Sequence, residues 1–255
     1  MEKRLSNALF FVIQDYNSPK KKTSLINWRL SIMDIAFLGD SITLGYALDD
    51  KNDRFSTLVC KRLGHNEINH GITGTLMAQA SMNRNDGKDF VHRLPLIHDA
   101  DVAVIFGGTN DYFWSDRPIY PPKSLETKER EFLLDYFANA LKAICDDCNE
   151  KRHGKLTLFV TPYPHHGTGN YFGGATWNTS SKHDTSERNF NGHVLQDYVD
   201  EIERTATSAG FPVLNLHQII GFDWRKHTID GCHPNPLGHQ WLADVITAKL
   251  QELLQ

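Results

Sequence analysis

A serine stands where an apolar run ends abruptly. The stretch IAFLGDSITLG, residues 35–45, carries four apolar residues into a glycine and then the pair Asp40 and Ser41. The run predicts a buried strand, so the Ser41 hydroxyl would lie at a strand end, where a nucleophile can meet a substrate. The alternative is that Asp40 or Ser41 only caps the next helix. This stretch alone leaves both roles open.

A serine nucleophile needs a base, and the segment DGCHPNPLGHQ offers one. The spacing of Asp230 and His233 can place a carboxylate beside one imidazole nitrogen while the other nitrogen points to a hydroxyl. The plainer interpretation is that Asp230 supports a turn and His233 is one of 13 histidines. In isolation the plainer interpretation is preferred, and only the other motifs weaken it.

Two further motifs offer donors for the negative oxygen that an attack on an ester creates. GGTND closes an apolar run and contains Asn110, whose uncharged amide can stabilise developing charge without needing a proton of its own. INHGITG contains Gly74, and a glycine lets a backbone N–H come close to a ligand. Each also has a plainer explanation, namely a Gly-Gly turn with an Asx cap and an ordinary turn after a strand.

The elements that must position these residues follow from the pattern of apolar residues. Short apolar runs alternate with helical patterns from Met33 onward, which predicts βα units and a parallel sheet. Strands are predicted at Ile35–Leu38, around Ile68, and at Val102–Phe106, Leu156–Val160 and Val213–Leu216. Helical spacing relates three groups of apolar residues: Phe132, Leu133, Phe137, Leu141 and Ile144; Val194, Leu195, Tyr198 and Ile202; Trp241, Leu242, Val245, Ile246 and Leu250.

Two long segments interrupt this alternation. Residues 112–123 and 163–187 are rich in Gly, Pro and aromatic residues, and each is expected to follow a strand. Ligands bind at the carboxyl ends of the strands in open α/β sheets, so these loops are predicted to build the pocket.

Composition excludes several classes of protein. The 255 residues are 40% hydrophobic and 23% charged, which is ordinary for a globular chain with a sizeable core. The net charge of -4 gives no general attraction to nucleic acid or anionic membrane, so a small or neutral substrate fits better.

The amino-terminal segment differs from the rest. Residues 1–32 have a weak pattern and are interpreted as an appendage, with one domain over residues 33–255. The apolar run at residues 8–13 is too short for a signal-peptide core or a membrane span, so a cytoplasmic protein is expected. The four cysteines show no disulfide framework and are expected to be reduced thiols: Cys60, Cys145, Cys148 and Cys232.

Taken together, the four motifs resemble those of the SGNH hydrolases, also called the GDSL esterase and lipase family. GDSIT with Ser41 matches the nucleophile block, INHGITG with Gly74 the glycine block, GGTND with Asn110 the asparagine block, and DGCH with Asp230 and His233 the last block. The order is that of the family, and the resemblance covers roughly residue 35 to the carboxyl terminus.

This resemblance implies a flavodoxin-like three-layer α/β sandwich with a central, mostly parallel five-stranded sheet. It implies a serine esterase in which Ser41, His233 and Asp230 form a triad, and in which Ser41, Gly74 and Asn110 form the oxyanion hole. No metal or organic cofactor is expected. The expected partner is a small ester with a short acyl group on a polar or carbohydrate alcohol, without nucleic acid or membrane, and a homo-oligomer is left open.

The sequence departs from the family pattern at two places. Ile42 replaces the Leu of the family name, which changes nothing chemical, and the loose glycine block leaves Gly71 as a substitute for Gly74. The lipase elbow G-x-S-x-G is absent because Thr43 occupies the place of its second Gly, which disfavours an α/β-hydrolase fold.

Other functions use some of the same residues. An acyltransferase, a lysophospholipase or a thioesterase could employ the same triad. A carbohydrate-binding module could use the loop aromatics, although it would not need the nucleophilic set: Trp114, Tyr120, Tyr171, Phe172 and Trp177. The pair Cys145 and Cys148 has redox spacing but lies in a predicted helix, and a histidine-rich group lacks recognised metal-ligand spacing: His165, His166, His183 and Asp184.

Overall fold

Five parallel strands form the central sheet, and they are the strands that the apolar runs predict. The computed structural model describes residues 31–79, 87–125, 133–167, 183–184 and 188–255. The strands are β1 (Asp34–Gly39), β2 (Asn66–Gly71), β3 (Val102–Phe106), β4 (Leu156–Val160) and β7 (Val213–Leu214), with a separate antiparallel pair β5 (His166–Gly167) and β6 (His183–Asp184). The order across the sheet is β2-β1-β3-β4-β7, which confirms the flavodoxin-like α/β class.

Helices connect the strands of the sheet. Their bounds are α1 (Ser41–Leu44), α2 (Phe55–Leu63), α3 (Phe90–Arg93), α4 (Thr109–Trp114), α5 (Phe137–Lys151), α6 (Leu195–Ser208), α7 (Trp224–His227) and α8 (Pro236–Leu253), with 3₁₀ turns at Lys51–Asp53 and Leu94–Ile97. The last helix begins as its sequence predicts, because Pro236 supplies a preset φ and the Asn235 side chain accepts the Gly238 N–H.

The two faces of the sheet pack against different helices. Along β1, Ala36 and Leu38 belong to a core with α5 and α6, whereas Ile35 and Phe37 belong to a core with α2 and α8. This division follows from the two-residue period of a strand, since successive side chains point to opposite faces. Burial on both faces explains why the central strands are continuous apolar runs.

The carboxyl ends of the strands lie in one row. Gly39 of β1 is in register with Gly71 of β2 and Phe106 of β3, and Phe106 is in register with Val160 of β4. The residues that follow these positions therefore meet at one edge of the sheet. GDSIT and GGTND begin there, and INHGITG starts within β2 and passes beyond its carboxyl end.

Three boundaries differ from the sequence-based expectations. The helix predicted from the Phe132 pattern begins at Phe137, because Leu133 lies in a turn, and Phe132 is outside the described residues. Strand β7 ends at Leu214 and not at Leu216 as predicted, because its pairing with β4, its one neighbour in the sheet, ends there. Residues 112–114 belong to helix α4 and not to a loop. Only Gly107 and Gly108 separate β3 from this helix, so the loop begins after Trp114.

Part of the predicted pocket region is not described. Residues 168–182 and 185–187 of the second long segment lie outside the described ranges, as do residues 1–30 of the expected appendage. In the ranges that are described, no helix combines the length and apolar character needed to cross a membrane.

Candidate active site

Ser41 opens helix α1 immediately after β1, and it is not the residue that caps this helix. The cap is Asp40, whose Oδ1 accepts the Ile42 N–H at 2.9 Å. The Ser41 hydroxyl is thus left for another partner, and it lies 3.0 Å from Nε2 of His233. The side chain is 5% exposed, so the hydroxyl is buried and not on the surface as a strand-end position would suggest.

His233 joins the serine to a carboxylate. Its Nδ1 lies 2.7 Å from Oδ2 of Asp230, so the neutral ring that donates from Nδ1 leaves Nε2 to accept the Ser41 hydroxyl proton. The Asp230 Oδ1 accepts the N–H groups of Cys232 and His233 at 2.9 and 2.7 Å. Burial would raise the pKa of Asp230, but these bonds and the His233 charge outweigh it and lower the pKa below its usual range.

Neighbouring groups fix the loop that carries this pair. The Tyr163 hydroxyl donates to the Cys232 carbonyl at 2.6 Å, and the Thr228 hydroxyl accepts the Gly231 N–H at 2.9 Å. On the other side, the Tyr46 ring lies against the His233 ring with centroids 4.7 Å apart. The imidazole is therefore held by contacts on several sides, which limits how it can turn.

The glycine block has two glycines with different surroundings. Gly71 packs against α1 so closely that a Cβ there would lie 2.2 Å from the Leu44 nitrogen, and its N–H already donates to Asn69 Oδ1 at 3.0 Å. Gly74 has a φ of +74° and open space where a Cβ would stand. Among the described residues, no acceptor pairs with the N–H of Gly74 or of Ser41. Gly74 is thus the glycine with a donor to offer.

Asn110 connects two of the blocks. It lies in the first turn of α4, which Gly108 caps without a side-chain bond, so the Asx cap considered above does not occur. Its amide donates to Asp40 Oδ2 at 3.2 Å and to the Thr75 carbonyl at 3.0 Å. The asparagine therefore touches the residue before the serine and the residue after Gly74, with both of its hydrogens engaged.

Two buried carboxyl groups complete the electrostatics of this edge. Burial raises the pKa of Asp40 to about 6 against the lowering effects of the Ile42 N–H, His233 and Arg93. Burial raises the pKa of Asp111 to about 7, although the N–H groups of Ala78 and Met77 donate to it. Sequence reasoning did not single out Asp111, since an Asp after Asn110 looks like a helix-start residue and only the folded chain shows it under the glycine loop.

The described residues give little support for redox chemistry or metal binding. Cys145 and Cys148 lie inside α5, and burial raises the pKa of each thiol to about 12, which suits packing and not redox exchange. No group of three or more His, Cys, Asp or Glu in the described part of the chain could hold a metal ion. His165 is buried against the rings of Phe113 and Tyr163.

The structure describes two of the five aromatic residues that a carbohydrate-binding module could use. Trp114 ends α4, and the Tyr120 hydroxyl donates to Glu201 of α6, so Tyr120 anchors its loop. Tyr171, Phe172 and Trp177 lie outside the described residues.

Comparison with known proteins now decides the family. The profile of the GDSL-like Lipase/Acylhydrolase family matches residues 37–241, which is most of the chain and includes all four motifs. The chain belongs to this family. As a GDSL-like acylhydrolase it is a carboxylic ester hydrolase. No curated protein matches the sequence.

Solved structures share the fold of this GDSL-like chain. A protein from Lactobacillus plantarum is 25% identical with a TM-score of 0.67, over 88% of this chain and 97% of that one. A carbohydrate acetylesterase from Sinorhizobium meliloti is 18% identical with a TM-score of 0.63, over 87% and 99% of the two chains. The GDSL-like domain thus matches these proteins over nearly their whole length.

Proposed function

We propose that this GDSL-like chain is a serine esterase that hydrolyses carboxylic esters through an acyl-enzyme on Ser41. The observation that carries the proposal is the continuous chain of contacts from the Ser41 hydroxyl through His233 to Asp230. Nucleophile, base and orienting carboxylate in this order are what acyl transfer by serine requires.

In the first half of the reaction, the Ser41 oxygen attacks the acyl carbon while His233 Nε2 takes the hydroxyl proton. Asp230 keeps Nδ1 protonated and stabilises the imidazolium that forms. His233 then gives the proton to the oxygen of the leaving alcohol, and the ester bond breaks. The acyl group remains on Ser41.

In the second half, water replaces the alcohol. His233 takes a proton from the water, the resulting nucleophile attacks the acyl-enzyme, and the proton passes to the Ser41 oxygen as the acid leaves. Each attack makes an oxyanion, for which the Ser41 and Gly74 N–H groups supply donors. Asn110 supplies a third by sharing an amide hydrogen that the Thr75 carbonyl accepts in the free enzyme.

For the substrate, we propose a short acyl group on a polar or carbohydrate alcohol. The sequence has no extended apolar segment suited to a lipid-water interface, and aromatic and polar residues are frequent in residues 112–123 and 163–187, the two segments that the sequence predicts to build the pocket. The fold neighbour from Sinorhizobium meliloti, a carbohydrate acetylesterase, points in the same direction. Rates on chromogenic esters of increasing chain length should fall beyond a few carbons, and a maximum at long chains would contradict this choice.

Replacing Ser41 tests the mechanism most directly. We expect Ser41→Ala to reduce kcat by about 10⁶-fold while the protein stays folded, because the nucleophile is lost and little packing changes. A phosphonate ester should label Ser41 in the wild type and should not label the variant. Mass spectrometry of the labelled peptide and a thermal melt are the measurements.

Ser56 provides the matched control. Its hydroxyl is also buried, but it donates to Glu67 and not to a histidine. Ser56→Ala should retain kcat within a few-fold. Wild-type turnover by a folded Ser41→Ala variant would falsify the mechanism, and product analysis with an added alcohol separates hydrolysis from transfer to that alcohol.

A further inference from the structure

One buried arginine contacts the segments that carry the proposed oxyanion donors. Arg93 is the last residue of α3 and is 5% exposed. Its Nη2 donates to the Gly39 carbonyl at 3.1 Å and to Thr75 Oγ1 at 3.0 Å, and its Nη1 donates to the His70 carbonyl at 2.5 Å. Its Nε donates to the Lys88 carbonyl at 2.6 Å. The guanidinium thus binds chain segments that are far apart in sequence.

The acceptors lie next to the oxyanion donors in the sequence. Gly39 precedes Asp40 and Ser41, and its carbonyl also accepts the Ile72 N–H at 3.1 Å. Thr75 directly follows Gly74. One planar cation therefore bonds the segment that carries the Ser41 N–H and the segment that carries the Gly74 N–H.

The third donor is linked through the same threonine. Thr75 accepts from Arg93 with its hydroxyl and from the Asn110 amide with its carbonyl. Phe90 of helix α3 also packs closely against the asparagine block: a Cβ added at Gly107 would lie 2.6 Å from its ring. The Arg93 guanidinium lies 5.0 Å from the centre of that same ring.

The burial of this cation has a cost that ordinary packing would avoid. Taking a guanidinium out of water is unfavourable, and apolar residues of similar volume often stabilise a core at least as well. What apolar residues cannot do is hold several carbonyl and hydroxyl oxygens at fixed positions in one plane. The rigid fork of Arg does this, whereas the single ammonium of Lys cannot span the same acceptors.

We propose that Arg93 is a positioning residue for ester hydrolysis, which sets the spacing of the Ser41, Gly74 and Asn110 donors around the oxyanion. It touches no reacting atom and acts through Gly39, His70 and Thr75. The proposal rests on the proposed serine mechanism, because it concerns the donors of that mechanism.

The kinetic consequence follows from when the donors act. Oxyanion donors bind the transition state more strongly than the ester, so misplacing them lowers kcat and leaves KM nearly unchanged. A displacement of about 1 Å costs on the order of 10²-fold in rate. We therefore expect Arg93→Met to lower kcat about 10²-fold with KM within about threefold. Arg93→Lys should lie between this variant and the wild type.

Arg152 is a matched control in the same protein. It is 1% exposed and also collects backbone oxygens, with Nη1 bonded to the Ala100 carbonyl at 3.0 Å, Nη2 to the Leu156 carbonyl at 2.9 Å and Nε to Thr157 Oγ1 at 2.9 Å. These acceptors lie at the amino ends of the strands, away from the serine. Arg152→Met should lower the melting temperature as Arg93→Met does, while kcat per folded site stays near the wild-type value.

The experiment uses four variants, in which Arg93 or Arg152 is replaced with Met or Lys. For each, kcat and KM are measured on a short-chain p-nitrophenyl ester, together with the melting temperature. Active sites are counted by titration with a p-nitrophenyl phosphonate, and the rate of that phosphonylation is recorded as a second readout of the donors. If the Arg93 variants do not fold, Thr75→Val takes their place, since it removes one Arg93 acceptor and leaves the Thr75 carbonyl. It should lower kcat about tenfold.

The outcomes separate this proposal from the proposed function. If the Arg93 and Thr75 variants phosphonylate and turn over per site like the Arg152 variants, Arg93 is only structural and the proposal is wrong, although the serine mechanism stands. A rise in KM with unchanged kcat also overturns it. If the phosphonate does not label Ser41 even in the wild type, the proposed function itself fails.

Discussion

The two ends of the central sheet each hold a buried arginine, and they differ in what surrounds it. At the amino end, Arg152 meets backbone carbonyls and the Thr157 hydroxyl, and the carboxylate that acts to raise its pKa, Asp101, is exposed. At the carboxyl end, Arg93 meets similar acceptors, but buried carboxyl groups stand nearby at Asp40 and Asp89, and both act to raise its pKa against the effect of burial.

The comparison separates the features that both ends share from those confined to the carboxyl end. A guanidinium that collects carbonyl oxygens occurs at both ends, so it does not by itself mark a site. What is confined to the carboxyl end, within the described residues, is the chain from Ser41 to Asp230 and the raised pKa of two buried aspartates. Burial that opposes ionisation is costly to stability, and proteins accept such costs mainly where chemistry is done.

Changing Asp230 should produce the largest effect within this comparison. In Asp230→Asn the side chain can present an N–H to His233 Nδ1, which would leave Nε2 protonated and unable to accept from Ser41. We expect kcat to fall about 10⁴-fold with little loss of melting temperature.

Asp101 at the amino end is the control for this change. Its Oδ2 accepts the Asp34 N–H at 2.8 Å, so Asp101→Asn also alters a carboxylate that bonds to backbone. It should leave kcat unchanged. Equal activity in the two variants would remove Asp230 from the mechanism and break the contrast between the ends.

A pair of buried asparagines gives the next largest effect. Asn110 and Asn189 are each 7% exposed, and each amide donates twice, in Asn189 to the Tyr112 carbonyl at 2.9 Å and the Tyr198 hydroxyl at 3.1 Å. Both Ala variants should lose stability by a few kcal/mol, since buried acceptors lose their partners. Only Asn110→Ala should also lower kcat, by about 10² to 10³, with KM little changed. Steady-state constants and melts on both variants measure this, and equal kcat values would make Asn110 structural.

Much of the fold could be predicted because its signals are local. The runs at residues 102–106 and 156–160 are strands with the bounds that their apolar residues indicate. The end of β7 could not be predicted, since Leu216 is apolar and buried yet lies beyond the pairing with β4. The start of α5 is not predictable for a similar reason, because Leu133 continues the helical spacing but belongs to a turn.

The candidate site was predictable where a motif carried the chemistry, and less so where distant segments meet. The three-residue spacing predicts the contact of Asp230 with His233, and the structure brings Ser41 to the same imidazole across 192 positions of sequence. The choice of Gly74 over Gly71 needed the structure, because it depends on whether Asn69 already engages the Gly71 N–H. Arg93 carries no sequence signal, since the role proposed for it depends on oxygens of Gly39, His70 and Thr75, which lie far from it in the sequence.

The pH dependence of stability should separate the two ends by a smaller effect. Burial raises the pKa of Asp111 to about 7, from 3.8 in an exposed carboxyl. The native state therefore favours the protonated form, and this contribution to stability is fully present below about pH 4 and is lost as the pH rises through 7. At about 1.4 kcal/mol per unit, the loss is on the order of a few kcal/mol between pH 4 and 8.

Asp111→Asn removes this titration while it keeps the size of the side chain. The amide can accept only one of the Met77 and Ala78 N–H groups, so the variant should be less stable than the wild type at pH 4.5. By pH 8 the difference in free energy of unfolding between the two proteins should be smaller, because only the wild type is then destabilised by ionisation of a buried carboxyl. Thr157→Val at the amino end removes an acceptor of Arg152 without a titratable group, so its deficit in unfolding free energy should stay constant over the same range. Urea unfolding at five pH values decides the matter, and parallel curves for wild type and Asp111→Asn would mean that Asp111 ionises as freely in the folded protein as in the unfolded chain.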